Sequence, residues 1–304
     1  MNGIMNVYKE KGFTSFDVVA KLRGILKQKK IGHTGTLDPD AVGVLPICLG
    51  SATKLCDMLT DKKKEYIAEF ILGKETDTQD ISGQVLKETE VNCTEEEVRG
   101  AIESFLGEYQ QLPPMYSAIK VDGKRLYELA RQGKEVERKT RTVTFYEIEI
   151  LKMDLPLVSI RVLCSKGTYI RTLCHDIGQK LGCGAAMTAL ERTRSGQFTK
   201  ENAYTLAEIE KIRDTEDLNA IIMPIDTVFK ELPALIVKEE LKKRVLNGNL
   251  IYVNECKKAG LSSCFEEGMK IRVYKDDDSS CNFIAVYQYD KERKGMVPDK
   301  MFLS

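Results

Sequence analysis

Tryptophan is absent, histidine occurs twice and proline eight times in 304 residues. With only His33 and His175, and nine cysteines that include no C-x-x-C pair, no four-ligand zinc set fits the usual spacings. The cysteines are better read as reduced thiols that serve as small apolar side chains, Cys48, Cys164 and Cys174 among them. Apolar runs such as Ala41–Leu49 are too short to span a bilayer. The opening stretch MNGIMNVYKEKGF lacks the apolar centre of a signal peptide, so a cytoplasmic protein without a membrane partner is expected. An excess of one charge is also missing. Lys plus Arg and Asp plus Glu each number 46, which taken alone points away from a nucleic-acid partner.

What is present is an ordinary globular composition, 42% hydrophobic and 30% charged, long enough for one large domain and a small one. The charges are unevenly spread. Lys27, Lys29 and Lys30 precede Gly32, and Lys62–Lys64 follow soon after. A third basic tract runs from Lys120 to Arg141. Charge runs are usually solvated faces, but two that flank one glycine-rich loop suit a phosphate-binding rim.

That loop is GHTGTLDPDAVGVLPICLGSATK, Gly32 to Lys54. Two glycines three apart let the backbone approach a ligand, and Pro39 bars the helical region to Asp38. A carboxylate on a stiffened loop beside a buried strand is well placed to act as nucleophile or base. By residue type alone, the same stretch is a surface turn.

Around the loop the periodicities give a mixed α/β chain. Thr14 caps a helix with its apolar stripe at Val18, Val19, Leu22, Ile25 and Leu26. Ser51–Leu59 reads as helical. Glu65–Leu72 alternates so that Tyr66, Ala68, Phe70 and Leu72 share one strand face. Thr94 with Glu97, and Thr205 with Glu208, are capping boxes. Thr142–Leu151 and Leu157–Leu163 read as a hairpin. From Thr168 the apolar positions Ile170, Leu173, Cys174, Ile177 and Leu181 describe an amphipathic helix ended by Gly182. Arg171 lies off that stripe in the first turn, where a cation opposes the helix dipole, so a carboxylate partner elsewhere is expected. Leu190 is core material by default.

The order of residues says more than their types. GHTGTLDPxAxGxLP with LGxATK resembles the catalytic motif of the TruB family, the bacterial tRNA pseudouridine-55 synthases. KKKEYIAEFILGKETDTQDISGQV is similar to that family's second motif, QQLPPMYSAIK to its Q-x-PPxYSAxK segment, and MTALERTRSGQF to its third. One departure is Lys9-Glu10, where the family usually has Lys-Pro. The resemblance is strong over about residues 5–230 and looser beyond.

It implies a largely antiparallel mixed sheet flanked by helices over residues 1–230, with an RNA-gripping insertion at about 120–141. A small PUA-like β-barrel is implied over 231–304. It implies isomerisation of one T-loop uridine of tRNA to pseudouridine, with no cofactor and no metal. Asp38 would attack C1′ or remove the 2′ proton, and Arg171 would pair with it and keep it ionised. Tyr66 would stack on the base and help with the C5 proton, while Tyr169 and Leu190 hold the uracil. His33 would fill the space left by the flipped nucleotide. A monomer without a guide RNA is expected. Three competing readings are a guide-dependent synthase, a non-catalytic tRNA chaperone, and a carboxylate-pair glycosidase. The last would need a second acidic residue, for which Asp40 is the only obvious neighbour.

Overall fold

The computed structural model describes residues 1–121, 123–259, 265–277 and 280–303. Two positions fall outside the described side chains, Cys264 and Cys281, so the thiol reading is testable at the other seven cysteines, all of them free.

The dominant feature is a sheet whose main path runs Ile222–Met223, Gly3–Lys9, Val42–Leu49, Ala185–Ser195, Lys64–Leu72, Leu157–Cys164, Arg141–Asp154 and Gly107–Gln111. Every neighbouring pair is antiparallel except one. Ala185–Ser195 meets Val42–Leu49 in parallel, and only through Glu191↔Val42 and Arg192↔Gly43. The sheet is thus two antiparallel halves joined by a short seam, in agreement with the expected fold class.

Val42–Leu49 can occupy that central place because all but its first residue are buried, as expected of a strand covered on both faces. Its Pro46 is tolerated for a local reason. The Pro46 carbonyl accepts from the Thr34 backbone N–H, one residue past the short strand Ile31–His33, so the missing donor falls where pairing has already ended. Gly43 takes φ +110°, and a Cβ there would lie 2.2 Å from the Arg192 carbonyl oxygen. Gly43→Ala should therefore part the seam, costing about 3 kcal/mol of stability in chemical denaturation.

Helices cover the sheet. Ser15–Leu26 and Leu206–Thr215 bury Val18, Val19, Leu22 and Ile209 against Met5, Leu45 and Ile47. Glu95–Glu103 and Ile170–Lys180 pack on Phe70, Phe145 and Ile160. Three helices open with reciprocal capping boxes: those expected from Thr94/Glu97 and Thr205/Glu208, and a third in which Asp17 completes the cap expected at Thr14. Two boundaries differ from the periodic reading. Gly50–Leu55 is a 3-10 segment before the short helix Cys56–Thr60, because Gly50 (φ +59°) turns the chain sharply out of the strand. The hairpin strands extend to Asp154 and begin again at Leu157, leaving only Leu155-Pro156 as the turn.

The tract Lys120–Arg141 holds a two-residue hairpin and the helix Leu126–Ala130, and no regular structure follows until Arg141. Beyond residue 233 a five-stranded sheet forms in the order Cys256–Ala259, Ala234–Val237, Lys270–Asp277, Ser280–Asp290, Gly295–Met301. It has its own core around Leu235, Val273 and Tyr287. Val286 and Phe302 join Ile4, Cys48, Leu55 and Phe198 in a further cluster that fixes it to the large sheet. No helix among the described residues is long and apolar enough to cross a membrane.

Candidate active site

The seam between the two sheet halves is also where the chain places its glycine-rich loop. Residues 34–41 cross from Ile31–His33 to the start of Val42–Leu49. The loop is tied down from behind. Lys9, fully buried, donates from Nζ to the carbonyls of Glu10, Phe13 and Pro39 at 3.1, 2.6 and 3.0 Å. Ser15 Oγ accepts from the Leu37 N–H at 2.9 Å, and Gly12 N–H donates to the Pro39 carbonyl at 2.9 Å. Leu37 and Ala41 are buried on either side of Asp38. Between them Asp38 has little freedom.

Burial works against the Lys9 charge and lowers its pKa to about 8, with the Asp38 and Asp40 carboxylates pulling it back up. The family-type proline after this lysine is absent. Here Glu10 contributes its carbonyl to the same ammonium, so the departure from Lys-Pro leaves the clamp intact.

Asp38 meets Arg171, as expected: Oδ2 lies 3.2 Å from the guanidinium. Arg171 sits in the first turn of Ile170–Lys180, almost wholly buried, and the same group reaches three further acceptors. One terminal nitrogen donates to the Tyr116 carbonyl at 2.8 Å. The other faces the Thr78 carbonyl at 3.3 Å and Asp80 Oδ2 at 3.4 Å. The cost of a cation opposing the helix dipole is thus offset by two carboxylates and two carbonyls.

Asp80 is the partner that sequence reasoning missed, because it sits in a turn between the strands Lys74–Thr76 and Val85–Glu88. The turn is real: Asp80 accepts from Thr78 Oγ1 at 2.8 Å and from the Ser82 N–H at 3.0 Å. Its remaining oxygen is what faces Arg171. Asp40, the carboxylate nearest in sequence, is exposed and makes no such pair among the described residues.

The expected pull of Arg171 is present, but it is not the largest influence. Arg171 does pull the Asp38 pKa down, but burial of the carboxyl is the larger effect and Asp80 adds to it, so the balance is upward. A carboxylate that must be ionised to react then loses activity, as pH falls, at a pH above the ordinary 3.8. Asp80→Asn removes a like charge and should move that acid limb to lower pH, read from a pH–rate profile. A limb displaced upward would mean that Asp80 acts chiefly by holding Arg171.

The remaining expected residues surround the loop. Tyr66 is buried on Lys64–Leu72, and Leu190 is buried on the neighbouring strand opposite Ala68. Both share an apolar cluster with Leu37 and Ala41, next to Asp38. Burial raises the Tyr66 pKa, with the positive charge of Arg192 pulling it back, so the phenol keeps its proton at neutral pH. Tyr169 precedes the Arg171 helix. Its backbone is fixed by Gln111 through bonds of 2.8 and 2.9 Å, and Arg141 lies over its ring. His33, half-buried, faces the Gly35 carbonyl through Nδ1 at 3.2 Å. Burial lowers its pKa, leaving a neutral imidazole whose Nδ1–H donates to that carbonyl.

Arg192 is a second residue the sequence reading missed. It is fully buried, bonding to the Val44 carbonyl at 2.7 Å through Nε and to that of Thr36 at 3.5 Å. A signal existed, since Arg192 falls two residues after Leu190 and hence on the same strand face. Among the described residues, no group of three or more His, Cys, Asp and Glu side chains is placed to hold a metal ion.

Comparison with known proteins gives the family of the chain. Residues 23–170 match the profile of the TruB family pseudouridylate synthase N-terminal domain, and 171–230 that of the tRNA pseudouridylate synthase B C-terminal domain. The chain belongs to the TruB family. It is 53% identical over 312 aligned positions to the tRNA pseudouridine synthase B of Lachnoclostridium phytofermentans, with both chains covered completely. It is 54% identical to that of Alkaliphilus oremlandii over 254 residues, 84% of each chain.

Among solved structures it resembles an H/ACA RNP bound to a substrate RNA containing 2′-deoxyuridine. The TM-score is 0.70 at 27% identity, over 99% of this chain and 85% of that one. An archaeal box H/ACA sRNP Nop10–Cbf5 complex gives 0.69 at 28%, over 99% and 86%. TruB membership sets aside the glycosidase reading, although the site does hold a second carboxylate. Asp80 spends its oxygens on Arg171 and on its own turn.

Proposed function

We propose that this TruB-family chain converts the uridine at position 55 of the tRNA T-loop to pseudouridine, alone and without a cofactor. The observation that carries the reading is the Asp38 carboxylate, fixed 3.2 Å from a buried arginine on a glycine-rich loop beside Tyr66 and Leu190. A uridine stacked in a loop is out of reach, so it must leave the stack at a cost of a few kcal/mol. His33, neutral on the loop edge, then occupies the vacated space.

Asp38 attacks C1′ or takes the 2′ proton, and the N-glycosidic bond breaks. Tyr66, Tyr169 and Leu190 retain the detached uracil while it turns, and C5 bonds to C1′ as the Asp38–C1′ bond breaks or, on the other route, as Asp38 returns the 2′ proton. The C5 proton leaves last, passing to water, and the Tyr66 phenol, which keeps its own proton, helps by holding that water. Arg171 orients Asp38 and restrains its pKa.

The tract 120–141 grips the RNA, and the five-stranded unit beyond residue 230 serves as a PUA-like domain on the acceptor side. Independence from a guide RNA is supported by the TDTQD segment of the stand-alone branch. Action on tRNA places the enzyme in the cytoplasm. The test is to incubate purified protein with an unmodified tRNA transcript and no other RNA, then map pseudouridine by carbodiimide-dependent reverse-transcription stops. A single stop in the T-loop is expected. Its absence, unless a guide RNA is added, would favour the ribonucleoprotein reading.

A further inference from the structure

The helix Ser15–Leu26 joins the two ends of the Asp38 loop. It begins where Ser15 holds Leu37, and after its C-terminus the chain passes through Lys27–Lys30 into Ile31–His33. Its inner face is accounted for by Val18, Val19, Leu22 and Leu26. Its outer face carries a stripe that packing does not explain: Phe16, Ala20 and Arg23, at i, i+4 and i+7, all exposed, with exposed Lys27 following as the C-cap, where φ +49° turns the chain out of the helix.

Phe16 is 63% exposed, one residue from the side chain that holds the catalytic loop. A lone exposed phenylalanine needs no explanation. This one has unusual company. The Arg23 guanidinium lies 6.0 Å from its ring centroid, and Arg23 Nε donates to the Lys29 carbonyl at 3.1 Å, tying the cation to the Lys27–Lys30 turn.

The cations of this stripe are also left over. Arg161, Arg194, Arg213 and Lys200 all have carboxylate partners. In a chain with 46 charges of each sign, no described carboxylate lies within ion-pair distance of Arg23, Lys27, Lys29 or Lys30. An exposed aromatic followed by unpaired cations along one line is the chemistry of a single-stranded RNA track, with a base on the ring and phosphates on the charges.

We propose that this stripe carries the RNA strand adjoining the flipped uridine. A neighbouring base stacks on Phe16, and the phosphates that follow lie on Arg23, about 10 Å along the helix from Phe16, and on Lys27 just past its end. The proposal rests on the substrate being RNA, as the reading above has it. Ala20, small and exposed, leaves room for the ribose between them.

The test uses the full-length protein and an unmodified tRNA transcript, with affinity measured by filter binding across a salt series and turnover measured alongside. Phe16→Ala should weaken binding about tenfold while turnover at saturating tRNA stays unchanged, because stacking is made with the bound strand and not with the reacting bond. Phe16→Tyr should bind as the wild type does. The double variant Arg23→Gln, Lys27→Gln should lower the slope of log affinity against log salt by about 1.4, two phosphate contacts on a single strand. Melting temperatures should not move, since none of these side chains is buried.

Phe16→Ala binding within twofold of wild type, or a salt slope unchanged in the double variant, would overturn the track. So would a binding loss matched by a fall in melting temperature. A wild-type protein that binds tRNA and forms no pseudouridine would instead sink the reaction assigned above. The same binding measurements would still decide the track.

Discussion

Asp38→Asn is expected to bind unmodified tRNA within about threefold of the wild type and to form no detectable pseudouridine, a fall of at least about 10⁴-fold. The asparagine keeps the shape, and its amide oxygen still accepts from Arg171 at the place where Oδ2 stands 3.2 Å away. What is lost is the charge that attacks C1′ or takes the 2′ proton.

The same variant should not be less stable. Because burial holds the Asp38 pKa above its unfolded value, its titration contributes stability that is fully present below the ordinary 3.8. That contribution is lost as pH rises through the raised value. At neutral pH the ionised side chain is therefore a cost, and its removal should leave the melting temperature equal or slightly higher. Loss of activity with retained or increased stability is the signature of a site built for reaction and not for folding.

Arg171 is expected to behave differently, because four acceptors depend on it. Arg171→Met leaves Asp38 and Asp80 facing one another's charge with no cation between them, and two carbonyls without their donor. Breaking a fully buried pair costs about 3–5 kcal/mol; with Asp38 partly open to solvent, about 2–3 is expected here. Single-turnover rates should fall about 10³-fold, since Asp38 loses both its orientation and the charge that restrains its pKa. Arg171→Lys should recover stability better than rate. One ammonium cannot reproduce a planar fork that serves both carboxylates and the Tyr116 and Thr78 carbonyls. A lysine variant with near-normal rates would show that charge alone suffices.

Local signals made much of this fold legible. The Thr14 cap and the Thr94/Glu97 and Thr205/Glu208 boxes set helix starts, and strict alternation from Glu65 to Leu72 gave a strand with Tyr66 facing inward. The glycine-rich loop announced Asp38, and the dipole argument correctly demanded a carboxylate for Arg171.

What stayed hidden was long-range. Asp80 stands 42 positions from Asp38, and only the closure of its turn over the Arg171 helix makes the two partners of one cation. Alternation could place Arg192 on the Leu190 face, but it comes beside the loop because a parallel seam two residue pairs long brings it against Gly43, and no periodicity encodes a seam. The direction of the Asp38 pKa escaped for a related reason. A pairing can be guessed from residue types, whereas the burial that outweighs it belongs to the folded surroundings.

The central claim is that this chain isomerises a tRNA uridine through Asp38. The most direct measurement is tritium release from a transcript labelled at C5 of uridine, wild type beside Asp38→Asn. One tritium released per tRNA by the wild type, with the label lost from the T-loop and none released by the variant, is the expected result. Release by Asp38→Asn at a rate near the wild type's, or free uracil in place of pseudouridine, would contradict it.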